Sequence, residues 1–495
     1  MQPSESQERL SRKINVGVAW TAASQAIVAV SDLVSQLVVV AVWLTNKQYG
    51  ITMMAVPLYS ILDCAADLGV TSALIQRDDH TPERVSTVFW FNVLLSGALF
   101  GLLLVAGPLY GRLQGYDVVG WLLVAYGGKL LAQNLYAIPY ALLRKELRFD
   151  EIAKIRTVAY LTESVTRVVF AACGVRVWCF TLAGIAKTLV FVVLMQWRHP
   201  FWPKFVFRWR EVLPYVTFGL RSAGSQLLYY TYTNLDYPIV SYYFGAEANG
   251  IYALAYWIVL EAVKTIANVV IDVAFPTFAR LRDDRAALIR EFIKLTRLNL
   301  IAVLPFVVLI ALVVPEFLRL AYGGGKWSPH ELDVCGDAAR ILCVVGLLRA
   351  LGFIGPPLLD GIGEPGRTLR YMIVASILVP GAFIVSAELL GDRYGLLSVA
   401  IGWAIGYPLA FAALMYLVTA SIGLPLATYV RSAVGVVACA AVGLAAGLAV
   451  DFALRDAGDG LRLAAIATAA LVGTFGMLAG WQGITPRSIS RALSG

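Results

Sequence analysis

The chain has 495 residues, of which 59% are hydrophobic and only 15% are charged, and its mean hydropathy is +0.73. Soluble domains carry about 25% charged residues, so this composition excludes an ordinary soluble protein and a disordered chain. The net charge of +8 fits the Lys and Arg excess of cytoplasmic loops better than a nucleic-acid partner. Because a membrane span needs about 20 apolar residues, the composition predicts an all-α, polytopic membrane protein.

Fourteen apolar helical segments follow one another along the chain, and short loops separate them. They are predicted near 16–44, 50–72, 85–111, 118–143, 157–174, 177–196, 213–243, 250–276, 299–321, 338–358, 371–390, 395–420, 432–450 and 463–481. No segment is long or polar enough to form a separate catalytic domain, which argues against an enzyme. The chain also has no GxxxxGKS phosphate loop and no CxxC pair, so we expect no cofactor and no metal.

Lys and Arg residues are distributed unequally between the two sides of this predicted bundle. One side, with both termini, carries 25 of them, and the other side carries 7. Cytoplasmic loops are enriched in Lys and Arg, so both termini are predicted to be cytoplasmic and the helix number even. The polar N-terminus lacks a signal-peptide pattern, so the first helix is expected to remain in the mature protein.

The two halves of the sequence are similar at an offset of 200 residues. LVVVAVWLTNKQYGITMMA (37–55) aligns with YPIVSYYFGAEANGIYALA (237–255). The second copy begins after six helices, so both copies enter the membrane from the same side. Parallel repeats of this kind form two lobes around a central cavity in transporters. We predict a tail at 1–15, six-helix lobes at 16–205 and 206–421, and two accessory helices with a cytoplasmic tail at 422–495.

Several ionisable residues fall inside the predicted spans, where a charge is costly unless it faces a cavity or a partner. Glu163 and Arg167 have the i, i+4 spacing of a structural pair. Cations in a hydrated cavity would attract an anionic ligand by Coulomb forces. The candidate substrate-binding cations are Arg221, Arg349, Lys264 and Lys187.

Acidic residues in the spans are candidates for ion coupling. Asp63 and Asp67 lie one helical turn apart, with Tyr59 on the same stripe, and two nearby carboxylates resist ionising together. The alternative for Asp67 is a helix-capping role. The complete candidate coupling set is Asp32, Asp63, Asp67 and Asp236.

The segment FARLRDDRAALIREFIKLTRL (278–298) combines an apolar face with six basic residues. Leu281, Leu288, Phe292 and Leu295 lie on that face. This pattern is typical of a short helix on the inner membrane surface, and the basic residues are predicted mainly to fix topology.

Four stretches of the chain carry a family resemblance. These stretches occur in the order found in the family. They are YGITMMAVPLYSILDCAADLGVTSALIQRDDHTPERVSTVFWFN (49–92), IPYALLRKELRFDEIAKIR, NGIYALAYWIV with VAFPTFARLRDDRAALIREF, and LAYGGGKWSPHE. Over about 16–420 the sequence resembles Wzx-type polysaccharide or O-antigen-unit flippases, in the exopolysaccharide and colanic-acid branch. These belong to the multidrug/oligosaccharidyl-lipid/polysaccharide exporter superfamily.

The resemblance implies a transporter of the bacterial inner membrane that flips an undecaprenyl-diphosphate-linked oligosaccharide for polysaccharide or lipopolysaccharide biosynthesis. It implies ion-coupled alternating access, contact with membrane lipids, and work alongside a polysaccharide polymerase or chain-length-control proteins. The alternatives are a multidrug/cation antiporter or a peptidoglycan-precursor flippase of the same superfamily. A polyprenyl-linked glycosyltransferase or ligase is a weaker alternative, because the three histidines are scattered.

Overall fold

The computed structural model describes residues 5–67, 74, 81–146, 148–454 and 458–483. Regular backbone in this part of the chain is helical, which confirms the predicted all-α class. Ten of the described helices are long and apolar enough to cross a membrane, as expected for a multi-pass membrane protein. α4 and α5, defined below, are not among these ten, and both carry ionisable or amide side chains in their middle turns, such as Lys129 and Glu163. The total of fourteen spans stays a prediction.

The first seven helices correspond to the first seven predicted segments. They are α1 (Glu5–Val42), α2 (Asn46–Asp67), α3 (Pro82–Leu113), α4 (Asp117–Lys145), α5 (Phe149–Ala172), α6 (Cys179–Arg198) and α7 (Trp209–Asn234). Thr81 caps α3 by accepting a hydrogen bond from the backbone N–H of Arg84, and Pro82 occupies the first turn, where its missing N–H costs nothing.

The remaining helices begin after a break at Leu235. They are α8 (Asp236–Tyr256), a π-helical turn (Trp257–Glu261), α9 (Ala262–Leu281), α10 (Arg285–Tyr322), α11 (Pro329–Gly352), α12 (Gly355–Gly361), α13 (Pro365–Tyr394), α14 (Leu397–Ile422), α15 (Leu426–Ala453) and α16 (Asp459–Gln482). Ser328 and Glu331 form a capping box at the start of α11, which satisfies two backbone donors.

The described residues divide into two compact units. The N-terminal unit comprises Met1–Asn234 with Gly245–Glu247, and the C-terminal unit comprises Leu235–Phe244 with Ala248–Gly495. In the N-terminal unit, α5 packs on α1 and α6, and α4 packs on α2, α3 and α6. In the C-terminal unit, α10 packs on α9, α11, α15 and α16, and α14 packs on α11 and α13. The predicted lobe boundary at 205/206 stays a prediction.

The seventh predicted segment, 213–243, is interrupted at Leu235. The turn predicted between this segment and the next lies inside α8, at Gly245, whose φ of +82° is outside the helical region. A residue with a Cβ is strained at this φ, so glycine suits the position. The π-helical turn Trp257–Glu261 then changes the phase of the following helix. Such turns locally replace i→i−4 hydrogen bonds and are frequent at functional sites.

The prediction of a separate surface helix at 278–298 is wrong. α9 ends at Leu281, and Asp284 caps α10, which continues without interruption to Tyr322. Leu288, Phe292 and Leu295 are buried by protein, because Phe292 packs 6.3 Å from Phe278 and stacks 5.7 Å from Tyr429 of α15. The apolar face that indicated membrane contact is therefore part of the protein core.

The last two helices pack closely through small residues. A Cβ built on Gly443 of α15 would lie 1.9 Å from Thr474 Oγ1 and 2.6 Å from the carbonyl oxygen of Ala470, both in α16. Small residues at such crossings allow two membrane helices to approach closely. α15 and α16 also contact α10, so they are integrated into the C-terminal unit.

Candidate functional site

A chain of alternating charges runs through the middle of the N-terminal unit. Arg167 of α5 donates to Asp32 of α1 at 2.8 Å and to Ser35 at 3.0 Å. Glu163 pairs with Lys187 of α6 at 2.8 Å and lies 4.0 Å from Arg167. The four charges sum to zero, which lowers the cost of placing them inside apolar helices.

Lys129 of α4 is a further buried cation in this unit. It is 9% exposed, and its Nζ lies 4.3 Å from the centre of the Tyr59 ring. Tyr126 stacks on Tyr59 with ring centres 4.4 Å apart. A cation over an aromatic face is stabilised by the ring quadrupole, and more strongly where water is excluded. The stacked tyrosines therefore hold this ammonium in position.

Asp63 of α2 is linked to α4 through Gln133. Gln133 Nε2 donates to Asp63 Oδ1 at 2.8 Å, and the Tyr59 hydroxyl lies 3.0 Å from that oxygen. Gln133 and Tyr59 are both among the residues that the structure describes. These two hydrogen-bond partners of the Asp63 carboxylate are neutral, and the coupling role of Asp63 stays a prediction.

Asp236 and Arg349, two buried charged residues of the C-terminal unit, lie among aromatic side chains. Asp236, at the start of α8, is fully buried. Its Oδ2 accepts from the Tyr252 hydroxyl at 2.7 Å and from Trp403 Nε1 at 3.0 Å, and its Oδ1 accepts from the backbone N–H of Tyr237. Three hydrogen bonds from neutral donors compensate for the loss of water around this carboxylate.

Arg349 of α11 belongs to the same aromatic cluster. It is 2% exposed and donates to the Tyr256 hydroxyl at 3.2 Å. Its guanidinium lies 5.5 Å from the Trp403 ring and 5.6 Å from the Phe353 ring. The guanidinium is thus enclosed by its own unit, and contact with a ligand would require these aromatic side chains to move.

The other predicted site residues lie in different surroundings. Lys264 of α9 is partly exposed and lies 3.3 Å from Glu261, at the end of the π-helical turn. Arg221 is in α7 and Asp67 ends α2, but both side chains lie outside the described part of the structure. The structure brings Asp32 and Lys187 into one network, linked through Arg167 and Glu163. All eight assignments stay predictions of function.

Sequence reasoning missed several partners of these charges. The pair of Glu163 with Arg167 that the i, i+4 spacing predicted is present at 4.0 Å, but the sequence did not indicate that Arg167 also binds Asp32, which is 135 residues distant in the chain. Tyr59 was recognisable from its position one turn before Asp63. Nothing in the sequence pattern pointed to Gln133 or Trp403.

Long apolar helices with buried ionisable clusters define a multi-pass membrane protein. The structure is similar to "Lipid II flippase MurJ, inward closed conformation", with a TM-score of 0.69 at 14% identity, over 94% of this chain and 98% of that chain. It is also similar to an inward-facing multidrug resistance MATE family transporter, with a TM-score of 0.61 at 19% identity, over 81% and 96% of the two chains. At these identities the likeness establishes the fold alone.

The chain belongs to the family described as "Polysaccharide biosynthesis protein", whose model matches residues 39–330. This confirms the family resemblance predicted from the sequence. The chain is 26% identical over 407 residues to the lipopolysaccharide biosynthesis protein WzxC of Escherichia coli (strain K12), covering 80% of this chain and 78% of that protein. It is 27% identical over 353 residues to the teichuronic acid biosynthesis protein TuaB of Bacillus subtilis (strain 168), covering 69% and 70%.

Proposed function

We propose that this protein flips an undecaprenyl-diphosphate-linked oligosaccharide across the bacterial inner membrane during polysaccharide biosynthesis. The observation that carries the proposal is the buried charge network of the N-terminal unit, in a chain that belongs to a polysaccharide biosynthesis family. Ionisable groups inside apolar helices are costly and usually serve a ligand or ion pathway. The names of the relatives, including the succinoglycan biosynthesis transport protein ExoT of Rhizobium meliloti (strain 1021), support the same cargo class.

In this mechanism, the diphosphate of the cargo is attracted by Lys187, Lys264, Arg221 and Arg349, and the coupling ion is bound at one or more of Asp32, Asp63, Asp67 and Asp236. The two lobes expose the site alternately to each side of the membrane. Both termini are cytoplasmic. The polysaccharide polymerase and chain-length-control proteins use the flipped cargo on the outer side.

The first test is made in the cells from which the gene comes. Disrupting the gene should stop polysaccharide from reaching the surface and cause the lipid-linked glycan to accumulate on the cytoplasmic leaflet. Purified protein in vesicles should then transfer that accumulated glycolipid between leaflets, measured by enzymatic labelling of the accessible sugar. If polymer export continues in the disrupted strain, the proposal is wrong.

The role of the cations in attracting the headgroup is tested with a matched pair of variants. Lys187→Gln removes a buried cation of the network, and Lys154→Gln removes a surface lysine of α5 that lies 3.7 Å from Asp150. Transfer should fall at least about tenfold in the first variant, as expected when about 1.4 kcal/mol of interaction with the headgroup is lost, and should be unchanged in the second. Lys187→Arg should restore most of the transfer.

Coupling is tested with Asp63→Asn, which preserves shape and removes the charge. Transfer by this variant should stop or lose its response to an imposed pH or sodium gradient. A variant with the wild-type rate and the wild-type gradient response would exclude Asp63 from coupling.

A further inference from the structure

A cavity of about 220 Å³ with both apolar and polar lining residues lies within the N-terminal unit, between α2, α3 and α4. Its lining residues are Asp63, Ala66, Asn92, Ser96, Leu130, Gln133, Asn134, Tyr136, Ala137 and Tyr140. In the predicted topology, these positions fall in the cytoplasmic halves of the three helices. The cavity is therefore on the side from which a newly made lipid-linked glycan would enter.

Two lining residues of this cavity, Asn92 and Asp63, offer acceptor oxygens. Asn92 is 3% exposed, and its Oδ1 has no hydrogen-bond partner among the described residues. Among the described residues, both hydrogen bonds to the Asp63 carboxylate are made with Oδ1. Asn134 Nδ2 donates to Ser96 Oγ at 3.0 Å, which holds those two side chains against the wall. A ligand that donates hydrogen bonds would satisfy the unpaired acceptors.

The size and the aromatic lining of the cavity restrict the ligand further. An apolar protein cavity of about 150 Å³ can hold benzene, so this larger cavity has room for a six-membered ring with hydroxyl groups. Tyr136 stacks on Phe191 with ring centres 5.0 Å apart, which fixes its orientation. Tyr136 and Tyr140 offer rings with an apolar body and a polar end, which suit the C–H faces and hydroxyl groups of a sugar. A single bare cation would leave most of this volume unfilled.

We infer that this cavity is a subsite for one pyranose ring of the transported glycan, with Asn92 and Asp63 accepting hydrogen bonds from its hydroxyl groups. The inference rests on the proposed function, and it assigns glycan recognition to residues distinct from the cations that attract the diphosphate. Tyr136 and Tyr140 pack against the ring, and Gln133 orients the Asp63 carboxylate.

Saturation-transfer difference NMR tests this inference directly. The full-length protein is placed in lipid nanodiscs and probed with glucose, galactose, mannose, N-acetylglucosamine and glucuronic acid. At least one sugar should show saturation of its ring protons. Asn92→Leu should weaken its binding about fivefold to tenfold, the change expected for one lost hydrogen bond. Thr188→Val is the control, because it removes a buried hydroxyl of α6 that donates to the Gly184 carbonyl and does not line the cavity.

Two further measurements separate this inference from the proposed function. In the vesicle assay with the accumulated glycolipid, Asn92→Leu should slow transfer and Thr188→Val should not. Wild-type transfer combined with no sugar signal, or with a signal that survives Asn92→Leu, would overturn the subsite and leave the proposed function intact. Failure of the wild-type protein to transfer glycolipid would instead count against the proposed function. Thermal stabilisation by sodium that Asn92→Leu abolishes, with no sugar signal, would make the cavity a cation site and overturn the inference.

Discussion

Two charge clusters, one in each unit, are stabilised by different physical means. In the N-terminal unit, cations and anions pair directly, so that Arg167 and Lys187 neutralise Asp32 and Glu163. In the C-terminal unit, Asp236 receives hydrogen bonds from Tyr252 and Trp403, and Arg349 donates to Tyr256. Paired charges depend strongly on one another, whereas charges held by neutral donors depend on the shape and dipoles of their surroundings.

This difference predicts how each unit responds to substitution. Removing one member of an ion pair leaves an uncompensated charge. Replacing a charge that is held by neutral donors with an isosteric neutral group leaves most of the hydrogen bonds intact. The network of Asp32, Glu163, Arg167 and Lys187 is therefore expected to be sensitive to charge, and the cluster around Asp236 and Arg349 to geometry.

The largest effect is expected for Arg167→Met, which leaves Asp32 without its partner and weakens the environment of Glu163. We expect the free energy of unfolding to fall by about 3 kcal/mol, measured by denaturant titration of the purified protein in detergent micelles. Arg156→Met, on the same helix, is the control. The Arg156 guanidinium lies 5.7 Å from the Tyr160 ring. Equal losses in the two variants would show that the ion-pair chain does not stabilise the unit.

A smaller effect is expected in the C-terminal unit, from a pair of changes at Asp236. Asp236→Ala leaves the donors of Tyr252 and Trp403 without a partner, and should lower the free energy of unfolding by about 2–3 kcal/mol. Asp236→Asn keeps an acceptor for both donors and should cost about 1 kcal/mol. The same titration measures both variants. If the Asn variant is the less stable of the two, the charge itself stabilises this cluster, and the comparison between the units fails.

Tyr256→Phe removes only the hydroxyl group that accepts from Arg349. Because the aromatic packing is retained, we expect a loss of about 1 kcal/mol in the free energy of unfolding. Tyr229→Phe is the control, because it removes a hydroxyl group from a different tyrosine, in α7 of the N-terminal unit. A loss as large as that of Arg167→Met would mean that Arg349 depends on one partner as strongly as Arg167 does.

The smallest effect concerns the first turn of α5 in the N-terminal unit. Glu151, in the first turn of α5 before the predicted span, lies 2.7 Å from His199 Nε2 and accepts from Arg148. Burial raises the pKa of the Glu151 carboxyl, but hydrogen bonds with Arg148 and His199 outweigh burial and hold that pKa below its ordinary value. Stability from this lowered pKa is present above the unfolded-state value and is lost as pH falls through the folded-state value.

Glu151→Gln should therefore cost about 0.5 kcal/mol near neutral pH, as is typical of surface ion pairs. The difference in free energy of unfolding between wild type and variant should begin to shrink at about pH 4, near the unfolded-state pKa of a glutamate, and should vanish below the folded-state pKa. The two proteins are compared by titration across this pH range. A difference that is constant with pH would indicate that the glutamate acts by packing alone.

The positions of most helices were predictable from the sequence because each span is a continuous apolar run. The partners of the buried charges were not predictable, because Arg167 and Asp32 meet only when α5 packs on α1. The apolar face of 278–298 was assigned to the membrane because amphipathic periodicity is the same whether lipid or protein covers it. Phe278 lies on α9 and Tyr429 on α15, so neither contact with Phe292 follows from the periodicity of α10. The lining of the cavity likewise comes from three helices.

The uninterrupted length of α10 constrains how this sequence can change by insertion or deletion. Its 38 residues span about 57 Å at a rise of 1.5 Å per residue, which is nearly twice the hydrocarbon thickness of about 30 Å. One inserted residue would rotate everything beyond it by about 100°. An insertion after Leu295 would turn every following buried residue away from its neighbours on α9, α11, α15 and α16. Insertions and deletions of single residues should therefore be tolerated at turns such as Gly363 and Gly395, where φ is positive and the helices end. In α10 they should be removed by selection.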